Sequence, residues 1–327
     1  MDKDIEKYLK SFEFGELRHF KNMAVFPLLT SLDDSPEYLT LKEALDKHLL
    51  TITEVSQEGS VPDLKVTNKS EVPVLLLDGE EVVGAKQNRV LNTTILLKAK
   101  SETVIPVTCT EQGRWEYTSR EFSDSGTVMI PKLRVMKSHS VSHTLEDSQQ
   151  FRSDQGTVWT GIDEMAEESE TRSQTRAMRD IFQAKLSDLD EYLKAFPSVP
   201  HQKGLFTFID EKVVGFDFIS LESAYTKLHP KLVKSYALEA LIRREQKRES
   251  PEKEKAGQFL NEALDSEEKK YDSVSQGQDY RFEGKEVVGS ALKVGKKVIH
   301  LAFFRITESE KAGQIAGYRR RRQFRTG

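Results

Sequence analysis

The sequence predicts an α+β protein in which mixed, largely antiparallel sheets with hairpins are packed by several helices. Short runs rich in leucine and β-branched residues recur between residues 23 and 109, and the Gly, Asp and Asn residues that bound them are typical of buried strands. Between residues 157 and 244, apolar residues instead recur at every third or fourth position, which indicates helices with one buried face. Hairpins predicted at 204–220 and 286–306 add further antiparallel strands.

Composition and charge limit the class of protein. Of the 327 residues, 37% are hydrophobic and 31% are charged, which fits a globular protein with one large core or two lobes. The chain has no window near the ~20 apolar residues that span a bilayer and no signal-peptide pattern, so we expect no contact with a membrane. The single cysteine, Cys109, excludes an internal disulfide and fits the reducing cytoplasm. A net charge of −4 argues against nucleic-acid binding over the whole surface.

The chain divides into three predicted parts. Residues 1–14 hold a short helix, on which Ile5, Tyr8 and Leu9 share one face. Residues 15–306 form one domain, or two lobes: a sheet-rich lobe at 15–137 and a lobe of helices and hairpins at 138–306. Residues 307–327 form a basic tail with five arginines, which is too short and polar to fold and would contact nucleic acid or an acidic surface.

Individual elements follow from the same patterns. In the first lobe we predict strands at 23–29, 51–55, 64–68, 72–77, 90–97 and 103–109, with a helix at 39–49. In the second lobe, 138–151 is a loop or the approach to a helix, and helices follow at 157–170 and 175–196. Pro230 separates two further helices, at 220–228 and 231–244, because proline is tolerated at a helix N-terminus. An exposed amphipathic helix within 243–272 precedes the last hairpin.

Two polar segments, 78–89 and 110–115, follow predicted strands. They hold carboxylates, amides and guanidinium groups that core packing alone would not select, and such groups at sheet edges suit a polar, anionic small molecule. The alternative is a pair of charged hairpin tips in water. The polar and aromatic candidates in these segments are Glu80, Glu81, Lys86, Gln87, Asn88, Arg89, Glu111, Arg114 and Trp115.

The same segments carry a resemblance to a known family. GEEVVGAKQNRVLN at 79–92 and CTEQGRW at 109–115 are followed by QGTVWTGIDEMAEES at 155–169, GLFTFIDEKVVGFDFIS at 204–220, KLVKSYALEAL at 231–241 and VVGSALKVGKKVIHLAFFR at 287–305. Together, over about residues 15 to 305, they resemble the domain family associated with ADP-ribosylglycohydrolase and with rhodanese-phosphatase-superfamily proteins. The resemblance implies a link to NAD and ADP-ribose metabolism and ADP-ribosylglycohydrolase-type partners. It supplies no catalytic residues, so the candidates rest on their chemistry.

Several other chemistries lack support in the sequence. Cys109 ends a buried strand, where a thiol most often fills space. The chain has no GxSxG motif, no phosphate-binding GxxxxGK[ST] loop and no GxGxxG after a strand. His139 and His143 are four residues apart, but no third ligand stands near them. We therefore expect no metal and no cofactor.

A carboxylate site remains, because cleavage of a ribosyl bond needs a carboxylate near the anomeric carbon. Two further polar residues interrupt predicted strands: Asp217, which points to water or into a cleft, and His300, which is either structural or part of a cleft. The candidate catalytic residues are Glu80, Glu111 and His300. The candidate ligand-binding residues are Gln87, Asn88, Arg89, Arg114, Trp115 and Asp217.

These residues predict a function in three forms. The chain binds or processes an ADP-ribose or NAD-related nucleotide, with hydrolysis at a ribosyl bond as the reaction that carboxylates would catalyse. The alternative is a module without catalysis, which binds a nucleotide or another protein. An arginine beside a carboxylate suits the two forms that bind a nucleotide, with or without catalysis, because the guanidinium fork binds two diphosphate oxygens at once.

Overall fold

The computed structural model describes residues 1–32, 35–243 and 252–307, and the predicted basic tail lies outside the described residues beyond Thr307. The helices are α1 (Lys3–Lys10), α2 (Leu41–Asp46), α3 (Pro131–Ser148), α4 (Gln155–Glu168), α5 (Met178–Ala184), α6 (Leu186–Ala195), α7 (Glu222–Ile242) and α8 (Lys253–Leu264). The first twelve strands are β1 (Glu13–Phe14), β2 (Arg18–Phe20), β3 (Met23–Leu29), β4 (Leu39–Thr40), β5 (Leu50–Glu54), β6 (Asp63–Asn68), β7 (Val74–Leu76), β8 (Glu80–Gly84), β9 (Arg89–Leu91), β10 (Ile95–Leu97), β11 (Ser101–Cys109) and β12 (Phe122–Val128). The others are β13 (Gly204–Ile209), β14 (Lys212–Ile219), β15 (Glu267–Asp272), β16 (Gln278–Glu283), β17 (Val287–Val294) and β18 (Lys297–Arg305).

The predicted α+β class is confirmed. The largest sheet has nine strands in the order β1-β3-β13-β14-β18-β17-β16-β15, with β2 also paired to β3. It therefore joins strands from residues 13–29 to strands from residues 204–305. A six-stranded sheet has the order β12-β8-β9-β11-β6-β5, and a three-stranded sheet has the order β10-β7-β4. Among the pairs of described strands, β4 with β7 is parallel and the others are antiparallel.

Both faces of the nine-stranded sheet are buried along its central strands, where alternate residues point to opposite sides and both sides are covered. On β13, Phe206 and Phe208 pack in the cluster that holds α1 and α8, whereas Leu205 and Ile209 pack in the cluster formed with α3 to α7. A third cluster fills the space between the two smaller sheets and α2. The six-stranded sheet therefore has its own core beside the main one.

Local signals predict several elements correctly. Helix α1 starts at Asp2, whose side chain accepts hydrogen bonds from the first backbone amides, and it buries Ile5, Tyr8 and Leu9 as expected. The hairpin of β13 and β14 turns at Asp210 and Glu211, which both have positive φ, as two-residue turns require. The last hairpin, β17 with β18, also forms. None of the described helices is both long enough and apolar enough to cross a membrane.

The structure corrects the expectation of one strand at 90–97. The chain forms β9 and β10 in different sheets instead. Between them, the buried side chains of Asn92, Thr93 and Thr94 hydrogen-bond to Phe151, Asp279 and His300. These contacts turn the chain from one sheet into the next. The polar segment 78–89 likewise holds a strand, β8, that the sequence did not indicate, and β12, β15 and β16 were not predicted either.

The helices also differ from the prediction at three places. Segment 138–151 lies largely inside α3, which begins at Pro131. The helix predicted at 175–196 is divided at Lys185 into α5 and α6. The two helices predicted around Pro230 are one, α7. Buried residues such as Leu228 and Leu232 anchor α7 in the same core on both sides of the proline, and this packing offsets the roughly 3 kcal/mol that an interior proline costs.

Candidate functional site

A polar cleft of about 370 Å³ opens beside the end of β8. Its walls are the end of β8, the segment that follows β11, and the start of α5. This volume lies within the range of small-molecule pockets, and the walls carry charged, amide and hydroxyl groups. The lining residues are Val83, Gly84, Asn88, Glu111, Arg114, Thr118, Ser119, Ser123, Ala177, Arg179 and Asp180.

Strand pairing brings the two polar segments together at this cleft. The sequence suggests pairing between the strands at 72–77 and 103–109, which is wrong, because β7 and β11 lie in different sheets. Strand β9 connects the segments instead. Its first residue, Arg89, is opposite Val82 of β8 on one side and opposite Cys109 of β11 on the other.

Gly84 allows the segment after β11 to pack closely on β8. Its φ is +129°, which side chains rarely adopt, and an added Cβ would lie 2.6 Å from Ser119 Oγ and 2.8 Å from the Glu121 carbonyl oxygen. A glycine here therefore permits the approach that forms one wall of the cleft.

Arg114 fixes the floor of the cleft. Its Nη2 donates to Glu111 Oε2 at 2.6 Å and to Asn88 Oδ1 at 3.1 Å, and its Nη1 donates to the Ala85 carbonyl at 2.7 Å. Burial alone would raise the pKa of Glu111, but the hydrogen bond from Arg114 and others hold it below its usual value. Glu111 is therefore an ionised carboxylate on the cleft wall at neutral pH.

Arg179 supplies the other guanidinium of the cleft. It lies half-buried in the first turn of α5. With the Gln183 amide oxygen turned toward it, Arg179 Nε and Nη2 donate to that oxygen at 3.0 and 3.1 Å. In the part of the chain that the structure describes, it forms no ion pair. The neighbouring Asp180 accepts a hydrogen bond from Ser173. Arg179 is thus a cation on the cleft wall that acts electrostatically on the buried Glu81, whose pKa it lowers slightly, but that forms no ion pair with a described carboxylate.

Glu81 lies fully buried on β8 with hydroxyl partners. Its Oε1 accepts from Thr110 Oγ1 at 2.6 Å and its Oε2 accepts from Thr127 Oγ1 at 3.2 Å. Burial raises the pKa of Glu81 to about 7, and the hydroxyl hydrogen bonds only partly oppose this rise. The backbone of Thr110 continues into Glu111, so this carboxyl group lies close behind the cleft.

Arg89 is also fully buried, and two of its three guanidinium nitrogens have no hydrogen-bond partner among the described residues. Nη1 donates to Gln87 Oε1 at 3.2 Å and to the Asn88 carbonyl at 3.3 Å, whereas Nε and Nη2 donate to nothing. Burial lowers the pKa of Arg89. The Trp115 ring, 45% exposed, lies over this guanidinium with its centroid 5.7 Å from Cζ. Gln87, Arg89 and Trp115 thus form a group next to the cleft, outside its lining.

Cys109 lies beside this group. It is buried, and its burial raises the pKa of the thiol to about 11. The side chain is therefore a neutral thiol at physiological pH, without the thiolate that nucleophilic catalysis needs.

Glu80 lies elsewhere, in a buried ion pair. Its Oε1 accepts from Lys231 Nζ at 2.7 Å, and the same ammonium donates to Asp124 at 2.6 Å. Its other oxygen accepts from the Leu77 backbone amide. Burial raises the pKa of Glu80, and Lys231 opposes the rise. Both carboxylate oxygens are thus used by the protein itself.

Asp217 and His300 belong to a third group, between the nine-stranded sheet and α3. Arg134 binds Asp217 with both terminal nitrogens, at 2.9 and 2.7 Å, and Tyr236 donates to it at 2.9 Å. His300 Nε2 lies 3.3 Å from Asp217 Oδ1, and its Nδ1 lies 2.9 Å from Thr94 Oγ1. All of these side chains are buried. The geometry places Asp217 and His300 in a closed ionic network.

Comparison of the sequence with known protein families confirms the predicted resemblance. A family profile matches residues 11–304, nearly the whole chain, and its description is ARG and Rhodanese-Phosphatase-superfamily-associated Protein domain, ARPP-1. The chain belongs to the ARPP-1 family. This family is associated with ADP-ribosylglycohydrolase and rhodanese-phosphatase proteins. Neither a curated protein nor a solved structure matches the chain.

The ARPP-1 fold therefore gathers the sequence candidates into separate groups. Asn88, Glu111 and Arg114 line the cleft, and Gln87, Arg89 and Trp115 adjoin it. The sequence analysis missed Arg179 and the buried Glu54, which lies 3.9 Å from Arg89. A signal for Glu54 was present, because it alternates in phase with the buried Leu50 and Ile52 of β5. Nothing local distinguishes Arg179 from an ordinary helix-surface arginine.

Proposed function

We propose that this ARPP-1 domain binds an ADP-ribose-type nucleotide in the cleft, with Arg179 holding the diphosphate. The observation that carries the proposal is that Arg179 lines a polar cleft and that its guanidinium has no ion-pair partner in the described part of the chain. The association of the family with ADP-ribosylglycohydrolase supports this class of ligand.

The side chains that line the cleft suit both the diphosphate and the ribose groups of such a ligand. An arginine presents two parallel N–H groups that match two oxygens of a phosphate. Ser119, Ser123 and Asn88 carry hydroxyl and amide groups that can exchange hydrogen bonds with ribose hydroxyls. Arg114 is held by Glu111 and by backbone carbonyls, so we assign it the task of shaping the cleft.

A second candidate function is hydrolysis of a ribosyl bond. It is favoured by Glu111, whose carboxylate is ionised and lies on the cleft wall. A carboxylate at this place would stabilise the positive charge that develops at the anomeric carbon while water adds to it and the leaving group takes a proton. The buried ion pairs of Glu80 and of Asp217 with Arg134 leave those carboxylates no part in this proposal.

Calorimetric titration with ADP-ribose tests the binding proposal. Loss of a charge-assisted hydrogen bond costs roughly 1.5–3 kcal/mol, so Arg179→Ala should weaken binding by about ten- to a hundredfold. Arg172→Ala is the matched control, because Arg172 is exposed and does not line the cleft. Equal affinity of the wild type and Arg179→Ala would contradict the assignment.

Product analysis separates binding from hydrolysis. The wild-type protein is incubated with an ADP-ribosylated compound, and the mixture is followed by nuclear magnetic resonance. Release of ADP-ribose supports the hydrolase. A ligand that binds and remains intact supports the module without catalysis.

A further inference from the structure

Two nitrogens of the Arg89 guanidinium lack partners in the protein interior next to the cleft. Nε and Nη2 are buried and have no hydrogen-bond partner among the described residues. A buried polar group without a partner is destabilising, and more so when it is charged. Such a fork of two adjacent donors is complementary to one or two acceptor atoms of a ligand.

An acceptor without a partner lies beside these donors. Glu54 is buried at the end of β5, and its Oε1 is 3.9 Å from Arg89 Nη2 and 3.4 Å from the backbone nitrogen of Lys86. Its other oxygen, Oε2, is buried and accepts no hydrogen bond from a described residue. Gly59, with a φ of +78°, borders that oxygen, because an added Cβ would lie 3.5 Å from it.

An aromatic ring covers this pair of groups. The Trp115 indole lies over Arg89, and the Lys86 ammonium is 5.2 Å from the centroid of the same ring. The ring is 45% exposed and lies outside the strands, so it can move away from Arg89 without unfolding a strand. A flat indole above a hydrogen-bonding edge suits a planar group, because aromatic rings stack on nucleobases.

We propose that Arg89, Glu54 and Trp115 form a subsite for a planar group whose edge presents an acceptor beside an N–H donor. Two groups share this chemistry: the N7 and N6 edge of adenine, and a primary carboxamide such as that of nicotinamide. The acceptor receives hydrogen bonds from Arg89, the donor gives one to Glu54, and Trp115 stacks on the ring.

The subsite is continuous with the cleft through one residue. The Asn88 carbonyl accepts from Arg89, and the Asn88 side chain accepts from Arg114 on the cleft wall. We therefore extend the proposal to a nucleotide that has its diphosphate on Arg179 and its base at Arg89. This assignment of the base rests on the proposed function of the cleft.

Ligand analogues test the subsite without a change in the protein. Calorimetric titrations compare ADP-ribose with its 7-deaza analogue, which lacks the acceptor, and with its 6-oxo analogue, which replaces the donor by an acceptor. We expect each change to weaken binding by about ten- to a hundredfold. Adenosine and nicotinamide, titrated separately, distinguish the two sources of the edge and probe the subsite without the diphosphate.

Two variants give independent readouts. In Glu54→Gln, the amide oxygen would accept from the Lys86 amide and turn its NH₂ group toward the ligand, so we expect the preference between ADP-ribose and its 6-oxo analogue to reverse. In the Trp159→Phe background, Trp115 is the remaining tryptophan of the chain, and stacking should quench its fluorescence.

The outcomes separate the two proposals. One outcome is that ADP-ribose binds in an Arg179-dependent way, that both analogues bind as tightly as ADP-ribose does, and that the fluorescence of Trp115 does not change. The subsite is then refuted, and buried water accepts the free hydrogen bonds of Arg89. If ADP-ribose fails to bind while adenosine or nicotinamide binds and quenches Trp115, the subsite stands and the cleft proposal is wrong. Failure of all these ligands refutes both.

Discussion

Two buried regions of this protein, the network around Asp217 and the region behind the cleft, shift the pKa values of their charged groups in opposite directions. In the network around Asp217, burial alone would raise the pKa of the carboxyl group, but Arg134 and His300 hold it well below its usual value. Burial would lower the pKa of Arg134, and its carboxylate partners raise it instead. Behind the cleft the directions are reversed, because burial raises the pKa of Glu81 to about 7 and lowers that of Arg89.

The difference lies in the partners, since all four side chains are fully buried. Arg134 meets Asp217 through two hydrogen bonds, whereas Arg89 has its closest carboxylate oxygen at 3.9 Å. A buried charge with a hydrogen-bonded ion-pair partner keeps its charged form, and one whose counter-charge is absent or too far away for a hydrogen bond is shifted toward neutrality. Groups perturbed by burial without compensation cluster at functional sites. We therefore interpret the network as structural, and the uncompensated burial of Glu81 and Arg89 supports our proposal that the region behind the cleft binds a ligand.

The largest expected effect concerns the network. Asp217→Asn should lower the free energy of unfolding by about 3–5 kcal/mol, because it leaves Arg134 buried without its main counter-charge. Urea denaturation measures the change. Asp46→Asn serves as the control: its ion pair with Lys42 has side chains that are 59% and 61% exposed, so its removal should cost less than about 0.5 kcal/mol. Similar small losses in both variants would break the comparison.

A pH-dependent effect of intermediate size should come from Glu81. The unfolded carboxyl group ionises near pH 4.5, and the folded one near pH 7. Between these values the folded protein binds more protons than the unfolded chain, so stability falls as pH rises, by about 3 kcal/mol in total.

Glu81→Gln should remove that part of the pH dependence, as measured by denaturation at several values between about pH 4 and 8. Glu121→Gln, at an exposed position, should keep the profile of the wild type. If Glu81→Gln has the same dependence of stability on pH as the wild type, the pKa of Glu81 is not raised by burial and this part of the comparison is wrong.

The sequence predicted one of these regions better than the other. The segments 78–89 and 110–115 drew attention to the cleft, because their polar residues follow apolar strands and three of them, Asn88, Glu111 and Arg114, line it. The network could not be read in this way. Asp217 meets Arg134 across 83 residues, and an alternating strand pattern does not specify such a partner.

The fold shows the same division between local and distant causes. Helix α1 and the β13–β14 hairpin follow from residues within the element, so their patterns sufficed. The separation of β9 from β10 depends on contacts of Asn92, Thr93 and Thr94 with distant segments. The single helix α7 depends on a core that the local effect of Pro230 opposes.

The buried arginines Arg134 and Arg89 give the most direct test. Of the two, Arg89 should cost the protein less stability when it is replaced, but its replacement should weaken ligand binding. Arg134→Met should destabilise the protein by about 3–5 kcal/mol, since it leaves Asp217 unpaired. Arg89→Met removes donors that lack partners, but it also removes the guanidinium 3.9 Å from the buried Glu54 and two hydrogen bonds of Nη1, so it should destabilise the protein less than Arg134→Met does, by roughly 1–3 kcal/mol. The decisive measurement is calorimetric titration of ADP-ribose into folded Arg89→Met. We predict at least about tenfold weaker binding than to the wild type, and wild-type affinity in this variant would contradict the account.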